Sequence, residues 1–263
     1  MDYVRIEIDE RVATVTFDRP PVNALDAQAF REIRDVFRSL GEGTEAHVAI
    51  FTAPGTRVFC AGVDLPDSAR RQSRQLIPED TIIDALDPGV VPRECFFAVA
   101  DCAVPVIGAI NGAAVGAGLA LVASCDVIIA SENARFALPE INAGVLGGGR
   151  HLQRMIGAYK TRKMFFTGEF VHASEFYRLG AVEAVVAADE LMPTARALAD
   201  EIATKSPLGL RLAKESLNRV EDLPLKDGYR LEQDYTQRIA SFNDSAEARQ
   251  AYLDKRPAEW TWT

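Results

Sequence analysis

Apolar and polar residues alternate over 3–17, with Val4, Ile6 and Ile8 followed by Val12, Val15 and Phe17 around a turn at Asp9-Glu10. A period of two belongs to half-buried strands, so this opening predicts a hairpin. RPPVNALD breaks the pattern with prolines and leaves Asp26 as a helix cap. Phe30, Ile33, Phe37 and Leu40 then recur at helical spacing. Residues 47–52 read as a strand, APGTRVFCAGVDL as a Gly-containing turn, and 93–100 as a helix. Between them, 66–92 are polar and Pro-interrupted, a composition expected of loop or helix covering a site. From Met155 onward the pattern is helical apart from a strand-like run at 181–187. Helices are expected at 191–204, 208–220 and 225–242, followed by a tail, SAEARQAYLDKRPAEW.

The stretch over 104–140, VPVIGAINGAAVGAGLALVASCDVIIASENARFALPE, organises the rest. It opens as a β-rich run, breaks at Asn111-Gly112, passes through a small-residue turn AAVGAG and enters a buried helix at LALVAS. A strand, VIIA, follows Asp126 and leads to Glu140. Small residues at such a turn let a ligand approach the backbone, where N–H groups at the start of a helix suit a developing oxyanion. No residue from Ala103 to Cys125 is charged, which also fits a membrane span. Pro105, Asn111 and the glycines at 108, 112, 116 and 118 exclude one continuous helix there.

Composition narrows the classes. The 263 residues carry 29 Lys and Arg against 38 Asp and Glu, a net charge of −9 that speaks against non-specific nucleic-acid binding. No basic and apolar leader opens the chain, so a cytoplasmic protein is expected. Cys60, Cys95, Cys102 and Cys125 show no metal-type CxxC pair and are expected to be reduced and mostly buried; no metal site is expected. His47 and His172 carry no assigned chemistry. Tyr229 and Tyr235 are read as core or interface aromatics.

PPVNALD, FCAGVDL, INGxAxGxGLxL, CDxxIA and ARFxLPE occur here in this order, and together they resemble the crotonase (enoyl-CoA hydratase/isomerase) superfamily over essentially the whole chain. The resemblance implies an α/β fold: a crotonase-type spiral of ββα units over 1–190 with a helical C-terminal trimerisation region over 191–263, acting as one functional domain. It implies an acyl-CoA partner, coenzyme A entering as the substrate thioester with no separate cofactor, and a homotrimer or dimer of trimers. The two oxyanion donors map onto the N–H groups of Val63 and Ala117. Contacts to the CoA moiety fall near Arg57, Ala61, Val63, Asp64 and Leu65, with Phe242 and Lys255 added by analogy, although Lys255 and Arg256 read equally well as solvated charges.

Hydratases of this family carry two glutamates. One maps onto Glu140; the other falls on Leu121 by one count and on Ala120 by the count that keeps CD and LPE in register, and neither side chain moves a proton. GVLGGGRHLQR also departs from the family's glycine-rich run. His151 there is either a replacement acid/base group or a helix residue facing a subunit contact. Glu140 is read as the principal acid/base, in a pocket walled by Leu138, Val145 and Leu146 that raises its pKa, against a structural pairing with Arg135 or Arg150. One carboxylate fits double-bond isomerisation or atypical hydration. DCAVPVIGAING and LPEINAGVLGGG are similar to family members that open steroid-derived rings, so ring-opening C–C hydrolysis of a cyclic keto acyl-CoA is the main alternative. A feruloyl-CoA type hydratase-lyase and a non-catalytic CoA-binding protein are the others.

Overall fold

The computed structural model describes residues 1–66, 82–87 and 89–263. Most of the stretch expected to cover a site, 67–81 with residue 88, lies outside the described residues. The chain opens with β1 (Val4–Asp9) and β2 (Val12–Phe17), an antiparallel pair in register from Val4 opposite Phe17 to Asp9 opposite Val12. The turn falls one residue later than the pattern suggested. Glu10 and Arg11 both take positive φ (46° and 70°), the two-residue turn whose twist matches that of paired strands. After β3 (Ala24–Leu25), α1 (Ala27–Glu42) starts where expected: Asp26 accepts a 2.8 Å hydrogen bond from Ala29 N–H.

From there the chain winds through two sheets. β4 (Val48–Thr52), β7 (Val106–Ile110) and β9 (Val127–Ser131) join β1, β2 and β12 (Ala184–Val186) in a six-stranded sheet, parallel beyond the first pair. β5 (Val58–Cys60), β8 (Ala113–Val115), β10 (Arg135–Ala137) and β11 (Val171–His172) form a second sheet. A third, two-stranded pairing joins β3 to β6 (Gly62–Val63). Successive strands thus alternate between sheets: β4 then β5, β7 then β8, β9 then β10. A helix completes each turn: α3 (Val90–Ala100), preceded by the short α2 (Ile82–Leu86), then α4 (Ala117–Ala123), then α5 (Gly149–Thr167). This is the expected ββα spiral. One local expectation fails, because Ala113–Val115 is a strand and not part of a turn. Pairing with β5 and β10 on both sides overrides its weak intrinsic preference.

Both β4 and β7 are buried along their whole length, which is why their sequences are unbroken apolar runs and not alternating ones. One face packs Phe17, Phe37, Phe51 and Phe59 into the main core, with ring centroids 5.1 Å apart for Phe37–Phe51 and 5.3 Å for Phe51–Phe59. The other face packs Val48, Ile50 and Ile107 against α7 (Leu191–Ala203). All four cysteines are buried free thiols; burial pushes Cys60 and Cys125 up to about 12 and raises Cys95 and Cys102 as well, so none is a nucleophile at neutral pH. Among the described residues no helix is long and apolar enough to cross a membrane, and no three His, Cys, Asp or Glu side chains cluster as metal ligands.

After α6 (Ala173–Arg178) and β12, the chain is helical: α7, α8 (Pro207–Val220), α9 (Leu225–Ala240) and α10 (Asn243–Asp254). The expected tail is therefore largely helix. Its end folds back: Asp244 accepts from Thr261 N–H, Trp262 packs edge-on to His47 at 5.5 Å, and His47 Nδ1 lies 3.2 Å from Ala203 O. His47 is thus buried with a backbone partner.

A buried ion pair joins the helical region to the spiral. Lys214 on α8, only 5% exposed, puts Nζ 2.7 Å from Asp126 Oδ2 and 3.2 Å from Val104 O, and Asp126 in turn accepts from Val106 N–H at the start of β7. Removing one partner of such a pair strands the other charge. Replacing Lys214 by Met should therefore cost about 2–4 kcal/mol, less than for a fully enclosed pair because Asp126 keeps some contact with water. The midpoint of urea unfolding measures this, and an unchanged midpoint refutes it.

Candidate active site

Three parallel strands of the second sheet, β5, β8 and β10, end side by side, and each leads into a segment expected to carry chemistry. β5 runs into Ala61-Gly62-Val63, β8 into Gly116-Ala117, and β10 into Leu138-Pro139-Glu140. Carboxyl ends of parallel strands are where α/β proteins build sites, because the loops there converge without interrupting the sheet.

The convergence is close enough to require glycine. Gly62 has φ +94°, and a Cβ on it would stand 2.8 Å from Val115 O and 3.7 Å from Ala117 N. The loop bearing Val63 therefore touches the start of α4, where Ala117 sits. Gly116 has φ +57°, and a Cβ there would stand 2.5 Å from Glu140 Oε1. The carboxylate occupies the space that any side chain at 116 would need. Val63, Ala117 and Glu140 are thus brought together. The Ala117 N–H, at the first position of α4, has no acceptor within its own helix.

Glu140 opens a 3-10 turn, Glu140–Ala143, that ends at the left-handed Gly144. Its Oε2 is buried without a hydrogen-bond partner, and burial raises its pKa above 4.5, offset in part by its own backbone N–H. Neither expected arginine pairs with it. Arg150 reaches Asp222 at 2.7 Å and Arg135 stacks on the Phe170 ring at 5.4 Å. The apolar wall is smaller than expected: Leu138 is fully buried, but Val145 and Leu146 are 38% and 78% exposed. The turn at Gly144 carries both outward. The raised pKa comes from burial of the carboxylate.

Ala120, one turn into α4, is 1% exposed, so its methyl is enclosed in the helix packing. His151 lies in the first turn of α5, three residues after Gly148, where a Cβ would stand 2.8 Å from Leu138 Cδ2 and 3.9 Å from Gly116 O. The imidazole packs edge-on to Phe96 at 5.2 Å. Burial first, then the neighbouring charges of Arg154 and Arg150, lower its pKa below 6.5, which leaves it neutral at pH 7.

Other expected contacts fall elsewhere. Ala61 and Asp64 flank Val63 and are fixed by backbone bonds, Ala61 N–H to Val22 O and Asp64 N–H to Leu25 O; Leu65 is exposed. Arg57 sits before the amino end of β5, opposite the converging strand ends, in a cleft shared with Arg135 and His172. Phe242 and Lys255 flank α10, which is held to the chain's own carboxyl-terminal segment through Asp244. Residues that the sequence reading passed over hold the site: Arg19, which bonds Ala24 O and Asp64, and Asn23, in the left-handed region, whose side chain bonds Arg19 N–H and Phe59 O. The available signal was the PPVNALD segment, whose spacing shows a loop but not its distant partners.

This geometry has known counterparts. The family model for enoyl-CoA hydratase/isomerase matches residues 7–262. A Rhodococcus jostii protein named (7aS)-7a-methyl-1,5-dioxo-2,3,5,6,7,7a-hexahydro-1H-indene-carboxyl-CoA hydrolase is 37% identical over 243 residues, 92% of this chain and 91% of that one. A carnitinyl-CoA dehydratase from Proteus mirabilis is 36% identical over 256 residues, 95% and 94% of the two chains. The crystal structure of an enoyl-CoA hydratase from Bacillus anthracis superposes with a TM-score of 0.87 at 28% identity, covering 98% of each chain. The matched span, the alternating strands and the converging loops make this chain a member of the enoyl-CoA hydratase/isomerase family, the crotonase superfamily, and an enzyme of that kind.

Proposed function

We propose that the chain binds an acyl-CoA thioester with its carbonyl oxygen between the Val63 and Ala117 N–H groups, and that Glu140 is the principal acid/base. The observation that carries this reading is the Glu140 carboxylate, enclosed and unpartnered beside Gly116 and next to both donor segments. An enolate forming at the thioester needs preorganised donors for its oxygen and one base for the proton. Ala61, Asp64 and Leu65 flank the Val63 donor, where the thioester end of the CoA moiety would pass. Phe242 and Lys255 enter only when a second copy supplies them, as a homotrimer would.

Ring-opening hydrolysis of a cyclic β-keto acyl-CoA is the reaction this proposal places first. One carboxylate balances it. Glu140 takes a proton from water as the water oxygen adds to the ring ketone. The C–C bond then breaks, with its electron pair passing into the thioester enolate, and the proton returns to the α-carbon. A methyl at 120 fits such a substrate, since no second carboxylate is called for. The Rhodococcus relative, named as a hydrolase of a cyclic CoA ester, supports the choice. Double-bond isomerisation uses the same count of groups, the α-proton being taken and returned to the γ-carbon, and stands second. His151, neutral and half-buried one helical turn from Gly148, is the candidate second protic group in either case.

Purified protein should open a cyclic β-keto acyl-CoA with CoA retained in the product, and should hydrate crotonyl-CoA slowly. Rapid crotonyl-CoA hydration with no ring opening overturns the assignment. Glu140→Gln should lower kcat by about 10²–10⁴-fold while CoA affinity stays within about threefold, read by turnover and calorimetry.

The raised pKa fixes two signs. As a base, Glu140 is active when ionised, so kcat/KM should fall on the acid side with an inflection above 4.5. For stability, a raised folded-state pKa means the folded chain binds more protons than the unfolded one. The Glu140 contribution is therefore favourable below pH 4.5 and is lost as pH rises through the raised value. Glu140→Gln should then match or exceed the parent in unfolding midpoint at pH 7, and its advantage should shrink toward pH 4.

A further inference from the structure

Arg19 lies on none of the three converging segments, yet its side chain reaches two of the carboxylates around them. It is four-fifths buried, with Nη2 2.9 Å from Asp26 Oδ2 and 3.0 Å from Asp64 Oδ2, while Nη1 donates to Ala24 O at 3.0 Å. Its guanidinium also lies over the Tyr3 ring, 5.4 Å from the centroid. Asp64 follows Val63 directly. Ala24 and Leu25 are the strand partners of Gly62 and Val63. One cation therefore grips both strands of the pair that presents the Val63 N–H.

That pair needs a clamp. Each of its strands is two residues long, too short to fix its own register by ladder bonds. Asp26 and Asp64 both lie within hydrogen-bond distance of one nitrogen, so the cation offsets the repulsion between two like charges held this close. Asp26 has a second duty, since its Oδ1 caps α1 through Ala29 N–H, and this anchors the clamp to a 16-residue helix. A planar fork meets these partners together; an ammonium on a flexible stem does not.

We propose that Arg19 is a positioning residue, which sets the Val63 N–H at the distance the thioester oxygen needs and does not itself touch substrate. This rests on the reading above that Val63 N–H is an oxyanion donor.

The test uses a conjugated chromophoric thioester, cinnamoyl-CoA, whose absorbance shifts to the red as bound donors polarise its carbonyl. The parent protein should bind it with a red shift. Arg19→Met and Arg19→Lys should bind it with Kd within about threefold, lose most of the red shift, and drop kcat about 10- to 100-fold with KM little changed. Asp64→Asn, which leaves Arg19 and the helix cap in place, should show the same loss and keeps the test valid if the Arg19 variants fold poorly. A full red shift and kcat in Arg19→Lys would reduce the residue to a simple charge and overturn the positioning role, as would an unchanged shift in Asp64→Asn. A parent protein that binds the thioester without any red shift overturns the oxyanion reading, and the inference with it.

Discussion

The constraint on which this structure depends is the close approach of three strand ends. Val63, Ala117 and Glu140 come from segments separated by dozens of residues, and they meet because Gly62 and Gly116 give up the volume a side chain would fill. Both glycines also hold positive φ, so the same positions answer a steric and a conformational demand. A Cβ at 116 would collide with the carboxylate itself, which makes the glycine and the acid one structural unit. The alternation of strands between two sheets is what delivers those ends to one place.

Glu140 sits at the junction at a cost. A buried carboxylate oxygen without a partner is disfavoured when ionised, and among the described residues no cation compensates it, its own backbone N–H offsetting the cost only in part: Arg150 and Arg135, the nearest cations in sequence, are engaged by Asp222 and Phe170. A core built for stability alone would place one of those arginines against it. A carboxylate whose pKa is raised by burial is a better proton acceptor, which is consistent with the base role proposed for it.

What could be read in the sequence was local. The opening hairpin, the Asp26 cap and the apolar runs of β4 and β7 are set by neighbours in the chain, and the structure has them where the pattern put them, although Ile6 and Ile8 of β1 are exposed. Errors arose where distant partners decide. Ala113–Val115 is a strand because β5 and β10 flank it, although its composition reads as a turn. Residues after 242 form a helix whose start is held by Thr261 and Thr263, some twenty positions away. Arg57, near FCAGVDL in sequence, stands before β5, three strand residues from Ala61, in a cleft with Arg135 and His172. Arg19 escaped notice for the same reason, because its carboxylate partner Asp64 lies 45 residues on.

The helical region is joined to the chemistry by more than the Lys214–Asp126 pair. Arg154 on α5 donates to Ala123 O, the last carbonyl of α4, at 2.7 Å, and its Nε lies 2.7 Å from Glu221 at the corner after α8. Arg150, one turn earlier, holds Asp222 at the same corner. The helix that begins at Ala117 is thus tied at its other end to the corner between α8 and α9, and His151 sits between the two arginines that make the tie. Burial and then their charges lower its pKa, while their hydrogen bonds fix the turn that carries it. Each exposed ion pair alone contributes little to stability. Their shared effect is to hold α4, the start of α5 and the C-terminal helices in one frame, so that a shift of those helices would move the Ala117 N–H and the His151 imidazole together.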